Sequence, residues 1–214
     1  SVAWSPGGDL LASGHRSGTL RLWDPETGEN VASWPGHIEG GLSTEVIAVA
    51  WSPDGDTLAS GGIDYAVRLW DRKGNALTAF RVDTSARNDI NGLAWSPDGG
   101  FVAAAGQAGG VHIWDVERAQ VARVFRVGGS SSWTRGVAYS PSGNILATTG
   151  VEGAVRLWDV ATGERLMTLR GHESPVWAVA WSPDGSQLAS GSGEYESSDG
   201  DRSVRIWGLP PSPE

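Results

Sequence analysis

The stretch Val49 to Asp71, VAWSPDGDTLASGGIDYAVRLWD, occurs with edits five times along the 214-residue chain and constrains the fold more than any other feature. The copies begin at Val2, Val49, Leu93, Val137 and Val179, and the last is interrupted by an insertion before it ends in Ser-Val-Arg-Ile-Trp-Gly. Trp4, Trp51, Trp95, Tyr139 and Trp181 mark them, at spacings of 47, 44, 44 and 42 residues. Units of this length, repeated side by side, call for radial or stacked β structure and not for one central core.

Each copy can be read from its residues. Val49-Ala50-Trp51 is a short β-type run, and Ser52-Pro53-Asp54-Gly55 stops it with turn chemistry: Pro presets φ, and Gly accepts the positive φ that closes the turn. Thr57 to Gly61 and Ala66 to Trp70 alternate large and small side chains, which predicts two more strands joined by a tight turn at Ile63 to Tyr65. A short Gly-containing turn then leads to a fourth strand at Ala76 to Phe80. Such strands, a to d in chain order, form an antiparallel meander. Val, Leu, Trp and Ala populate both of its faces, so the sheet must be covered on both sides.

The Trp-Asp pairs at 23 and 24, 70 and 71, 114 and 115, and 158 and 159 are joined by the Trp207-Gly208 variant and by Gly-His at 36 and 37 and at 171 and 172. Together, in register and covering essentially the whole chain, they resemble the WD-repeat β-propeller family. The resemblance implies an all-β propeller of four-stranded antiparallel blades, with units at about 1–35, 36–81, 82–126, 127–170 and 171–208 and a C-terminal tail at 209–214. The chain enters in strand a and stops after strand c of the fifth unit, so the expected count is nineteen strands, with the last blade lacking its outer strand. In this family that strand normally comes from the N-terminus and clasps the ring. The expectation is therefore a fragment, an open arc of a larger ring, with uncapped end blades open to self-association.

Charge and composition remove several function classes. A formal charge of -9, sixteen basic against twenty-five acidic residues without any basic run, argues against nucleic acid or an anionic membrane as partner. Lys73 is the only lysine, which leaves almost no material for Schiff-base chemistry. The absence of Cys excludes disulfides, zinc thiolate sites and cysteine nucleophiles. No apolar run has the length of a membrane helix and no signal peptide is visible; the compartment is left unknown, with the cytoplasm favoured.

A recurring His, Ser and Asp could suggest a nucleophilic triad. The family resemblance implies instead a structural hydrogen-bonded tetrad of the Gly-His histidine, the Ser of strand b, the Asp of the b-to-c turn and the Trp of strand c. Two units match it completely: His37, Ser60, Asp64 and Trp70, and His172, Ser190, Asp201 and Trp207. The third carries Ala104 and Ala108 at the Ser and Asp positions, the fourth Thr148 and Glu152, and the first Ser13 and Ser17. Partners lost together suit a buried polar network, because a half-satisfied one is costly. No catalytic group, metal site or cofactor is expected. The acidic stretch Glu194 to Asp201 lacks the spacing of a calcium loop, and His15 and His112 have no ligand-like neighbours in sequence.

The edits between copies point to a partner. Strand a to strand b never changes length, whereas the d-to-a connection varies and the fifth unit adds seven residues between b and c, within Gly193 to Gly200. In a four-stranded meander those two connections emerge at the same end, and insertions gathered on one face mark a binding face. Ile47, Asn91, Arg135 and Trp177 stand four residues before the aromatic marker, and Arg16, Ile63, Gln107 and Val151 just before the Asp position of the turn. Both sets change character while their flanks repeat. With Trp133 and Tyr195 from the loops they make up the expected protein- or peptide-binding surface of a non-catalytic interaction scaffold. The alternatives are a carbohydrate-binding propeller, which needs equivalent loop aromatics in several blades, and a regulatory or sensor module of a larger signalling protein.

Overall fold

A computed structural model describes residues 1–39, 42–81, 89–107, 110–127, 133–193 and 200–209 of the chain. The first sheet holds β1 (Val2–Trp4), β2 (Leu11–Gly14), β3 (Thr19–Trp23) and β4 (Asn30–Pro35). After a two-stranded ribbon of β5 (Ile38–Glu39) and β6 (Leu42–Ser43), the second holds β7 (Val46–Trp51), β8 (Thr57–Gly62), β9 (Ala66–Asp71) and β10 (Ala76–Arg81). The third holds β11 (Ile90–Trp95), β12 (Phe101–Gly106), β13 (Gly110–Asp115) and β14 (Gln120–Arg126). The fourth holds β15 (Thr134–Tyr139), β16 (Ile145–Gly150), β17 (Ala154–Asp159) and β18 (Arg165–Arg170), and the fifth β19 (Val176–Trp181), β20 (Gln187–Ser192) and β21 (Val204–Gly208). Every blade is an antiparallel meander in chain order, and the fifth has three strands among the described residues.

The Ser-Pro turns explain why the connection from strand a to strand b never changes length. Ser52 N donates to Thr57 O at 2.8 Å and Gly55 N to Ser52 O at 2.9 Å, with Gly55 at a φ of 76°. The Ser52 hydroxyl donates to Asp54 Oδ1 at 2.5 Å and accepts from Thr57 N at 2.9 Å, so the side chains lock the same loop a second time. Successive turns also stack: an added Cβ at Gly55, Gly99, Gly143 or Gly185 would stand 3.4 to 3.8 Å from Pro6, Pro53, Pro97 or Pro141 of the preceding blade.

The core is divided among the interfaces between blades. Ala12, Leu20 and Leu22 pack on Val46, Trp51 and Leu58; Val67, Leu69 and Phe80 on Ile90, Val102 and Trp114; Val111, Ile113 and Phe125 on Val137, Leu146 and Trp158; and Val155 and Leu157 on Val176 and Leu188. The two outward faces have no such cover, since Val2 and Trp4 are 68% and 60% exposed and Val204 and Ile206 73% and 60%. The sheets therefore form an open arc, as the sequence predicts.

The structure departs from the sequence reading in three places. The β5–β6 ribbon adds a hairpin within the first d-to-a connection, where the pattern predicted none. Strand a begins three residues before Val49, at Val46. Finally, strand a of the second to fifth blades carries a bulge.

Candidate functional site

The bulges fall on the variable positions. β7 pairs Val46 with Gly62 and Ala48 with Gly61, which leaves Ile47 between them; Asn91 and Trp177 hold the same place in β11 and β19, and in β15 Arg135 and Gly136 share it. A bulged residue has no ladder partner and its side chain is re-aimed. These residues lie where strand a leaves the d-to-a connection, and the b-to-c turns lie beside them. Ile63 N donates to Glu45 O at 3.2 Å, Val151 N to Trp133 O at 3.2 Å and Gly193 N to Pro175 O at 3.1 Å, tying turn to connection in three blades. Arg16 pairs with Glu45 at 2.6 Å, and Gln107 Nε2 donates to Asp89 Oδ2 at 2.6 Å.

Four of the expected residues are brought together across three neighbouring blades. The Arg135 guanidinium carbon lies over two indoles, 4.8 Å from the centre of Trp133 and 4.4 Å from that of Trp177. Both rings are 40% exposed. Asn91 Nδ2 donates to Thr134 O at 3.0 Å, and Arg135 Nη1 reaches Asn91 Oδ1 at 3.4 Å. Trp177 Nε1 donates to Gly193 O at 2.7 Å, which fixes its ring against the b-to-c turn of the fifth blade. Desolvation pulls the Arg135 pKa below the usual guanidinium value, against the opposing charge of Asp89. Ile47, Ile63, Gln107 and Val151 are half-buried and the Arg16 side chain is exposed, while Tyr195 lies outside the described residues.

The polar sets form hydrogen-bonded chains. His37 Nδ1 is 2.8 Å from Asp64 Oδ1, His37 Nε2 is 2.8 Å from Ser60 Oγ, and Trp70 Nε1 donates to Ser60 Oγ at 2.8 Å. Arg68 Nη1 donates to Asp64 Oδ2 at 2.5 Å. Burial alone would raise the Asp64 pKa, but hydrogen bonds and charge from His37 and Arg68 hold it at about 2. In the fifth blade His172 stands 2.8 Å from Asp201 and 2.7 Å from Ser190, and Trp207 Nε1 donates to Ser190 Oγ at 2.8 Å. Hydrogen bonds from Ser203 and then His172 hold Asp201 well below the ordinary carboxylate range. In both sets the buried Ser hydroxyl meets Trp as well as His.

The family profile described as WD domain, G-beta repeat, matches residues 1–24, 28–71 and 163–208, and that of the anaphase-promoting complex subunit 4 WD40 domain matches 72–134 and 118–184. The chain belongs to the WD-repeat family. A solved crystal structure of the mitotic checkpoint complex contains a chain similar to this WD-repeat arc, with a TM-score of 0.80 and 25% identity over 97% of this chain and 59% of that one. A probable cytosolic iron-sulfur protein assembly protein CIAO1 homolog from Ixodes scapularis is 49% identical over 45 residues, 21% of this chain and 12% of the relative. The WD-repeat arc thus spans only part of the length of both.

Three arrangements escaped the sequence reading. His15, which has no ligand-like neighbour in sequence, lies 2.8 Å from Ser13 Oγ, the same hydroxyl that accepts from Trp23 Nε1 at 2.7 Å, so the first blade takes its histidine from its own b-to-c turn. Glu152, at the Asp position of the fourth blade, pairs with Arg156 at 2.9 Å instead of with a histidine. In the third blade His112 stacks on Trp114, 5.5 Å between ring centres, beside Ala104. Among the described residues no group of three or more His, Asp or Glu side chains is placed to hold a metal ion, and no helix is long and apolar enough to cross a membrane.

Proposed function

We propose that this WD-repeat arc is a non-catalytic scaffold that binds a protein or peptide at the end carrying the b-to-c turns and d-to-a connections. The observation that carries this is the convergence of Asn91, Trp133, Arg135 and Trp177, three of them on bulges of neighbouring strands, with two indole rings 40% exposed. Aromatic and Arg side chains at the middle of a surface are the usual anchors of protein recognition. Ile47, Ile63, Gln107, Val151 and Arg16 form the surround in this reading, while Tyr195, in the inserted stretch of the fifth unit, lies outside the described residues. The His37 and His172 sets serve the fold, because each hydroxyl is committed to a Trp donor. The structurally similar chain is part of a protein complex, which agrees with a scaffold role.

Affinity measurements on a purified partner test this reading. Trp177→Ala is expected to weaken binding by about 2 kcal/mol or more without lowering the melting temperature. Undiminished affinity in that variant, with binding abolished by changes in the Ser-Pro-Asp-Gly turns, would place the partner at the opposite end. Glycan binding that depends on Trp133 and Trp177 would instead support the carbohydrate reading.

A further inference from the structure

The Arg135 site is a cation without an anion. The guanidinium carbon lies over both the Trp133 and the Trp177 ring, Nε is buried with no hydrogen-bond partner, and Nη1 has only the 3.4 Å contact with Asn91 Oδ1. No carboxylate among the described residues forms an ion pair with Arg135. The other arginines at comparable depth are paired: Arg68 with Asp64 at 2.5 Å and Arg156 with Glu152 at 2.9 Å. Asp89, the acid whose charge Arg135 feels, already accepts the Gln107 amide on Oδ2.

A half-buried charge left unpaired is costly, because water is removed and nothing replaces it. The two indoles return part of that cost and leave the guanidinium charge without a counter-ion. A planar edge of N–H donors matches a carboxylate, which can accept two parallel hydrogen bonds. The exposed rims of Trp133 and Trp177 then offer apolar contact on either side of that carboxylate. On a chain of net charge -9 a free cation of this kind also selects by sign, since an acidic segment is repelled elsewhere.

Resting on the interaction-scaffold reading above, we infer that the surface takes a peptide segment through an Asp or Glu side chain, docked on the edge of Arg135 between Trp133 and Trp177. The carboxylate supplies the counter-charge that the fold omits, and flanking apolar residues of the segment cover the two indoles.

The test selects a display library of random twelve-residue peptides on the chain and measures the enriched peptides, synthesised with capped ends, by titration. The expected peptides carry an Asp or Glu whose replacement by Asn or Gln weakens binding at least tenfold to the wild type and less than twofold to Arg135→Met. Arg135→Lys keeps the charge but loses the planar fork, and is expected to lose at least fivefold; its melting curve, matching the wild type, shows that the fold is intact. If acid-to-amide replacement changes nothing while Trp177→Ala still abolishes binding, the acidic partner is overturned and the binding face stands. If no selected peptide depends on Arg135 or Trp177, both fall.

Discussion

His37 and Asp64 meet at 2.8 Å, Nδ1 to Oδ1, with both side chains at 0% exposure. The second carboxylate oxygen faces Arg68 and the second ring nitrogen faces Ser60, so each heteroatom of the pair has a partner. Removing one member leaves the others buried and unmatched. Asp64→Ala is therefore expected to cost about 1 to 3 kcal/mol of stability, read as a shift of the denaturant midpoint with an unchanged slope. A loss within the error of the melt would mean that the chain of bonds does not stabilise the fold.

The same carboxylate predicts an acid limb. Its folded pKa of about 2 lies below the ordinary 3.8, so the unfolded chain binds the proton more readily. The contribution is fully present above the unfolded value and is lost as pH falls from about 4 through about 2, on the order of 2 kcal/mol. Asp64→Asn is expected to flatten the wild-type stability profile over that window and leave its shape near neutrality unchanged. An identical acid limb in the two proteins would assign it to other carboxyl groups.

Glu152 carries the next prediction. As a partial remnant of the tetrad in the sequence it looks dispensable, but Arg156 beside it is 8% exposed, with Nε and Nη1 buried and unpartnered, and Glu152 is its ion pair. Glu152→Ala is expected to cost about 1 to 3 kcal/mol, because it strands a buried charge. Adding Arg156→Leu should recover most of the loss, since an apolar side chain leaves nothing unpaired. Thermal melts of the single and double variants decide it, and equal instability of the two would show that the Arg156 stem, not its charge, is what matters.

The parts of the fold legible in the sequence are those fixed by local chemistry. Ser-Pro-Asp-Gly defines a turn by itself, and alternation around Trp51, Trp70 and Phe80 defines the strands, which is why nineteen blade strands appear among the described residues. What stayed hidden depends on pairing between strands or blades. A bulge is one surplus residue in a ladder, and Ile47 or Asn91 carries no mark of it in composition. Arg135 and Trp177 were legible as variable positions and Trp133 as a loop aromatic, but the three meet only when the fourth and fifth blades place residues 42 apart in sequence side by side. Likewise Ser13 was legible as a tetrad position, and only the folded turn shows His15 beside it.

Tyr139 breaks the rule of the aromatic markers. Trp51, Trp95 and Trp181 each donate Nε1 across the blade interface, to Ala3 O at 3.2 Å, Ala50 O at 3.1 Å and Ala138 O at 3.2 Å. Tyr139 takes that place between the third and fourth blades, and its hydroxyl is buried without a partner. Burial, and then the negative charge of Asp98, push its pKa well above the ordinary phenol value. Beside it the cleft lined by Pro97, Phe101, Gly143 and Val160 holds about 400 Å³, against about 110 Å³ for the cleft lined by Trp181 and Pro141 at the next interface. Tyr139→Trp is expected to fill part of the space and to donate to Ala94 O, the equivalent carbonyl, with a gain of about 1 kcal/mol. Tyr139→Phe removes only the orphan hydroxyl and should be neutral or slightly stabilising, because burying a polar atom without a partner is unfavourable. Denaturant midpoints order the three proteins as Trp above Phe, and Phe at or above the wild type. A destabilised Tyr139→Phe would show that the hydroxyl has a partner in solution, and a destabilised Tyr139→Trp that the cleft cannot admit the larger ring.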